Sequence, residues 1–401
     1  METDLHVKEL QIYLKQNYER GAMMKKSIHL ITYHRAYNYG AELQAYASVL
    51  FLESLGYDVK IIDYIPKYLR GFGTFSNTFN QVDNKKKNIL LRIILALIKT
   101  PSYRRLLKMF NRFIESQLPM TIKYNSYEEL LNNTPRADFY CCGSDQIWNN
   151  YYTGDFDDAF YLNFLTDKDK CFSLASSFGR SNFDTEEEKY ILKSLSKFSF
   201  LTVRENDGKK LLDKLELRES KLLADPTLLV DFNVWEQFAS KNLIKEKYIL
   251  VYQLHGDSDA YEYALKFAKN NNMKVVRIIT MYHQMRIGCK NVITPNLNEF
   301  VGLIKNAEYV FTDSFHGTIF SLVFKRKLGV RLPVRFNGRI LSLLENINSE
   351  EVVIKDLGIW SKVVDDKYIE NAHNNLTLMR KSSIISFKES LSKIDNKEEH
   401  C

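Results

Sequence analysis

Apolar residues along this chain follow two alternating rhythms. Ser27–His34 is a short apolar run rich in Ile, Leu and Tyr, which reads as a strand, and Ala41–Leu55 repeats apolar positions at the spacing of an amphipathic helix until Gly56 stops it. Tyr57–Tyr64 reads as the next strand. Two strands joined by one helix imply a parallel pair with a right-handed crossover. The rhythm returns in strand-like runs at Asp138–Cys142, Cys171–Ser177, Phe200–Val203 and Lys221–Ala224, with helical stretches between most of them. Ser126 with Glu129 and Thr185 with Glu188 have capping-box spacing and predict two helix starts.

Asp225-Pro226 breaks this series, and Asp231–Lys247 reads as a connector. A second series follows: strand Tyr248–Leu254, helix Asp259–Lys269, strand Lys274–Thr280, a helix opened by Pro295, strand Tyr309–Asp313, helix Gly317–Lys325 and strand Leu328–Leu332. The pattern predicts an α/β protein of two Rossmann-like, doubly wound domains in tandem. The predicted divisions are a polar extension over 1–23, an N-terminal domain over 24–232 with a basic helical insert at 85–115, a C-terminal domain over 233–345, and a helical tail over 346–401. Leu376, Met379, Ile384, Phe387 and Leu391 fall on one side of the tail, which is therefore expected to pack on a domain.

Composition narrows the function. The chain has 401 residues, 45% hydrophobic and 13% aromatic, enough for two cores and too apolar for disorder. A net charge of +7 is moderate and no nucleic-acid motif accompanies it, so nucleic acid is not an expected partner. Five cysteines with no CxxC pair read as reduced, buried thiols, and eight histidines without HxxxH or HExxH spacing predict no metal site. Met1–Gly21 lacks the apolar core of a secretory signal. The longest apolar stretch, Ile89–Ile98, is interrupted by Arg92 and falls short of the roughly 20 residues a spanning helix needs. A cytoplasmic protein is expected. Lys85–Arg112 carries nine basic residues and no acidic one, which predicts either a peripheral contact at the inner face of the cell membrane or a solvated helical hairpin.

In open α/β sheets, ligands bind beyond the carboxyl ends of strands, where helix N-termini face anions. Five loops occupy such places. His34–Gly40 offers Asn38 as a cap or ligand contact and Gly40 for a tight turn. Gly143–Asn149 presents Ser144, Asp145 and Gln146 beside Trp148, a mixture of polar groups and a flat ring that suits a sugar, with Asp145 as candidate general base. Ala175–Arg180 ends a strand in small residues that include Ser177. Thr202–Glu205 brings out Arg204, suited to a carboxylate or phosphate. Phe311–Thr318 is the sharpest: Ser314, His316 and Gly317 lie at a strand-to-helix junction where an anion could be held. Each loop has a purely structural alternative: a capped turn, an aspartate bonded to backbone, close packing, or an ion pair of Arg204 with Glu205 or Asp225.

Taken in order, Tyr33–Ala41, Gly143–Asn149, Ala175–Gly179, Val203–Glu205, Asp225–Leu229 and Asp313–Gly317 resemble the polysaccharide pyruvyl transferase family. The resemblance covers roughly Ser27–Arg339. It implies a GT-B-like pair of domains facing a cleft, with phosphoenolpyruvate as donor and a sugar or lipid-linked oligosaccharide as acceptor. The product would be a cyclic ketal in exopolysaccharide, capsule or cell-wall glycan synthesis. It further implies that Arg204 and His316-Gly317 hold the donor, while Ser314 stands where the family has a second arginine. Arg339 or Arg335 is the candidate to supply that cation.

On this reading His316 is the general acid and Asp145 the general base, and no cofactor takes part. The N-terminal domain takes the acceptor and the C-terminal domain the donor, in a positively polarised slot. Two other functions fit the same plan: a glycosyltransferase using a sugar nucleotide, and a non-catalytic carbohydrate-binding relative.

Overall fold

The computed structural model describes residues 25–69, 89–151, 154–167, 169–217, 220–256, 258–334 and 337–396. The extension 1–23, the basic residues 85–87 and Arg335 lie outside them. Two five-stranded parallel sheets organise the chain. In the first, β1 (Ser27–Ile31), β2 (Asp58–Tyr64), β3 (Met120–Tyr124), β4 (Phe139–Cys142) and β5 (Cys171–Ser173) run in the order β3-β2-β1-β4-β5. Parallel bridges between Phe172 and Phe200 and between Ser176 and Val203 extend it to the pair β6 (Leu201–Val203) and β7 (Ser220–Leu222). In the second, β8 (Tyr248–Tyr252), β9 (Lys274–Ile279), β10 (Lys290–Ile293), β11 (Tyr309–Thr312) and β12 (Lys327–Val330) run in the order β10-β9-β8-β11-β12. All of β8 and all but the first residue of β1 are buried, as parallel strands covered on both faces require. The expected architecture of two Rossmann-like domains is present. Strand order reverses between β1 and β4 in one sheet and between β8 and β11 in the other, so each sheet has a switch point where loops diverge.

Several predicted elements are displaced. Asp184 with Glu187, rather than Thr185 with Glu188, makes the capping box of Thr185–Leu195, and Asn296 with Glu299, just after Pro295, makes that of Leu297–Lys305. In both, the short side chain accepts the N–H three residues on and the glutamate returns to the cap's own N–H. The connector contains a helix, Phe232–Phe238. The helix predicted over Ala41–Leu55 spans Tyr39–Ser54 and is not amphipathic, since even Glu42, Gln44 and Ser48 are buried. The reason is its position between the domains. Tyr39 stacks on Phe300 at 4.4 Å and donates to the Pro295 carbonyl at 2.6 Å, while Tyr46 packs on Trp235 and Phe238.

The basic insert forms one helix, Ile89–Gln117, instead of a hairpin. Its second half is no free face: Leu106, Phe110, Phe113 and Ile114 are buried in the main core. Among the described residues no helix is long and apolar enough to cross a membrane.

The tail is a 30-residue helix, Asp366–Asp395, fastened to both domains. At its start His373 Nδ1 meets the Leu322 carbonyl of the C-terminal domain at 3.0 Å, and Asn375 donates to the carbonyl of Ile347, just past that domain's last helix, at 2.9 Å. Further on, the Ser383 hydroxyl accepts the Ala224 N–H, and Phe387 packs against Phe51, Phe172 and Phe200 of the N-terminal domain. At its end Asp395 pairs with Lys26 at 2.6 Å and accepts from Tyr57 at 2.9 Å. Phe387→Ala is expected to lower stability by about 3–5 kcal/mol in urea unfolding. Ile385→Ala, two residues earlier but 58% exposed, is expected to stay within about 0.5 kcal/mol.

Candidate active site

The loops after β1, β4, β6 and β11, with the short helix Pro226–Leu229, converge on one buried carboxylate, Asp225. It caps that helix: one oxygen accepts the Thr227 N–H at 3.0 Å and the Thr227 hydroxyl at 2.7 Å. The other accepts Arg204 Nη1 at 2.7 Å and the Ser144 hydroxyl at 3.0 Å, and lies 3.8 Å from His316 Nε2. Arg204 turns Nη2 to Asp145 at 3.3 Å and its Nε toward Glu205 at 4.0 Å. Its guanidinium stands 4.9 Å from the Phe315 ring centre, and Arg339, from the helix Gly338–Asn346, stands 5.5 Å from the same centre. Two cations from different domains thus share one aromatic ring.

Local sequence explains how each group is held. His34 places its ring nitrogens at 3.0 Å from the Thr32 carbonyl and 2.9 Å from Asp63, and Arg35 grips the same Asp63 with two bonds of 2.9 Å, tying the first loop to β2. Asn38 caps its helix by accepting the Gly40 N–H, while buried Glu42 accepts the N–H groups of Tyr37 and Asn38. Gly40 is needed for approach, not for a turn: a Cβ there would lie 2.1 Å from His316 Nδ1. Asp145 accepts the Gln146 N–H at 2.8 Å, so its backbone bond and its Arg204 contact coexist. With its amide oxygen facing Arg339, Gln146 accepts from that guanidinium at 2.6 and 3.2 Å. Gly179, at φ +67°, lets the Gln146 amide pass where a Cβ would be. Ser177 is fully buried beside Glu205, which accepts the Phe178 N–H at 2.7 Å.

Ser314 and Gly317 bond to each other at the start of their helix. The helix starts at Phe315, and the Ser314 hydroxyl caps it by accepting the Gly317 N–H at 3.2 Å. That N–H is therefore engaged within the protein. Among the described residues, Arg339 joins Arg204 at this corner.

The sequence profile of the polysaccharide pyruvyl transferase family matches residues 38–328, which contain Asn38, Gly40, Asp145, Arg204, Asp225 and His316. The chain belongs to that family. No curated protein matches it in sequence. Among solved structures, the UDP-GlcNAc 2-epimerase of Neisseria meningitidis bound to UDP-GlcNAc superimposes with a TM-score of 0.51 at 10% identity, over 92% of this chain and 100% of that one. A putative UDP-N-acetylglucosamine 2-epimerase of Listeria monocytogenes gives 0.50 at 9% identity, over 88% and 91%. At such identity the likeness establishes the GT-B fold alone.

In this pyruvyl transferase family member the described residues of the cluster, two arginines among three carboxyl groups, carry no surplus of positive charge. Arg204 is almost completely buried, and although burial opposes its charge, Asp225, Asp145 and Glu205 keep it charged. Burial pushes the Glu205 carboxyl up, partly offset by Arg204. Burial also acts to raise Asp225, but His316, Arg204 and the Thr227 bonds outweigh it and hold that carboxyl low. The His316 ring is driven down to about 4, chiefly by burial, with Asp225 opposing, so it is neutral at pH 7. Asp225, read from the sequence only as a possible ion-pair partner of Arg204, and Phe315, not read as a site residue, are central here. A lone carboxylate between Leu222-Leu223-Ala224 and Leu228-Leu229 was the available signal, since a charge inside an apolar run needs partners.

Gly40→Ala is expected to displace His316 and abolish activity while leaving far-UV circular dichroism unchanged. A folded-state value of about 4 against an unfolded value near 6.5 means that only the unfolded chain binds this proton in that window. Stability from His316 is complete above pH 6.5 and is lost as pH falls toward 4. Wild-type melting temperature is therefore expected to drop more steeply between those pH values than that of His316→Gln.

Proposed function

We propose that the protein transfers pyruvate from phosphoenolpyruvate to a pair of sugar hydroxyls as a cyclic ketal, in the synthesis of a cell-surface glycan. Family membership supports the reaction class. The observation that carries the reading is the meeting of Arg204, Arg339, His316 and Asp145, from four separate segments and both domains, around Asp225 and Phe315.

Arg204 and Arg339 bind the donor's carboxylate and phosphate beside Phe315. The donor takes Arg204 Nη2 from Asp145, whose 3.3 Å contact is longer than the 2.7 Å bond to Asp225. Asp145, 15% exposed, is then released to accept a proton from the attacking hydroxyl. An anion placed beside the neutral His316 ring opposes the effect of burial and raises its proton affinity. His316 then protonates the methylene carbon of the enol, and the first sugar hydroxyl adds to the cationic C2. The second hydroxyl displaces phosphate and closes the ketal. Of the two hydroxyl protons lost, one balances the proton given to carbon and the other leaves with phosphate. No cofactor takes part.

The test is phosphate release from phosphoenolpyruvate in the presence of glycan acceptor. His316→Gln and Asp145→Asn, which leave the Arg204–Asp225 pair intact, are each expected to slow it by about 10²–10⁴-fold. Near wild-type rates in both, or consumption of a sugar nucleotide in place of phosphoenolpyruvate, overturn the proposal. Arg204→Ala is a poorer probe, since stranding Asp225 is expected to cost about 3–5 kcal/mol of stability.

A further inference from the structure

Beside Arg204, Asp225 and Phe315 opens a cavity of about 650 Å³, walled on its far side by the tail helix. A second cavity of about 380 Å³ continues along the same helix as far as Tyr368. Asn348 and Asn375 line both, so the two form one trough. Its walls are unusual in chemistry. Among the described residues, apart from Arg204 and Asp225 at the inner end, no Lys, Arg, Asp or Glu lines either cavity. Amides take their place: Asn346, Asn348, Asn371, Asn374 and Asn375 face it, with Leu378 lining it though 64% exposed.

An amide offers two donors and an acceptor, which is the complement of a sugar hydroxyl that both gives and accepts. Beyond Arg204 the described lining, amides and hydroxyls in the smaller cavity and mostly apolar side chains in the larger, offers a phosphate or carboxylate no cation. It pairs uncharged hydroxyls at no cost in ion desolvation. The tail helix rises about 1.5 Å per residue, so the stretch from Ser383 to Tyr368 measures about 22 Å, long enough for several linked sugar rings.

We infer that this trough is the acceptor track of the enzyme and takes an uncharged oligosaccharide, whose terminal sugar reaches Asp145 and His316 while the following sugars lie along the tail helix. The inference rests on the pyruvyl transfer proposed above and places the acceptor between the tail helix and both domains, with Arg204, Leu223 and Leu228 of the N-terminal domain and Phe315 and Leu343 of the C-terminal domain along it. Asn371 and Asn374 are exposed helical positions, so exchanging both for Ala preserves the fold.

The experiment uses the full chain on an array of neutral and acidic oligosaccharides, from single sugars to hexasaccharides, with a separate calorimetric titration of phosphoenolpyruvate. Wild type is expected to retain neutral oligosaccharides over single sugars and over acidic ones. Asn371→Ala/Asn374→Ala is expected to bind those neutral glycans about ten-fold more weakly, the loss of one to two hydrogen bonds, with unchanged melting temperature and donor affinity. Retention of no neutral glycan, preference for acidic glycans, or equal binding by the double variant overturns the track. Neutral glycans lost on the double exchange while phosphoenolpyruvate fails to bind wild type would uphold the track and sink the donor assignment instead.

Discussion

A carboxylate with none of its side chain exposed stays ionised only if its surroundings replace the water it has lost. Asp225 meets that demand with two Thr227 groups, the Ser144 hydroxyl and Arg204. Each partner comes with its own loop. Satisfying one buried charge therefore fixes the ends of β4 and β6 relative to the helix that follows Asp225, and brings His316 of the other domain within 3.8 Å. Once Arg204 is anchored on Asp225, its outer face can lie against Phe315 and its remaining nitrogen against Asp145.

The electrical balance of the cluster follows from the same pair. Two arginines stand among three carboxyl groups, one of which burial holds toward its neutral form, and the histidine is uncharged. Such a site does not attract anions by a bare positive field. Its strength lies in cations already oriented and stripped of water, so that an anion replacing Asp145 on Arg204 meets donors needing no rearrangement. Swapping one carboxylate for another leaves the total charge of the pocket almost as it was.

The fold was legible in the sequence because parallel strands buried on both faces leave continuous apolar runs, and β8 and β11 could be placed from these alone. Helix starts were less legible: Asp184 and Asn296 won over Thr185 and Pro295 because each has a side-chain oxygen that accepts the N–H of a glutamate three residues on, which in turn reaches back to the cap. The character of Tyr39–Ser54 could not be read, since a helix wedged between two domains buries faces that periodicity assigns to solvent. In the site, Arg204, His316 and Asp145 were found because they are polar residues at strand ends. Gly40 was found for the wrong reason, because its partner lies 276 positions away and only the folded chain reveals that its missing side chain makes room for a histidine.

The tail helix carries one more consequence, for the order in which the molecule is completed. The bond from Asp395 to Lys26 joins the last turn of the tail helix to the residue just before the first strand. Each sheet contains all its own strands well before that point in the chain, so the two halves can fold in turn as they leave the ribosome. The strap of the tail across both halves forms only after both sheets are made, because Phe387 and Asp395 follow the last strand in the chain.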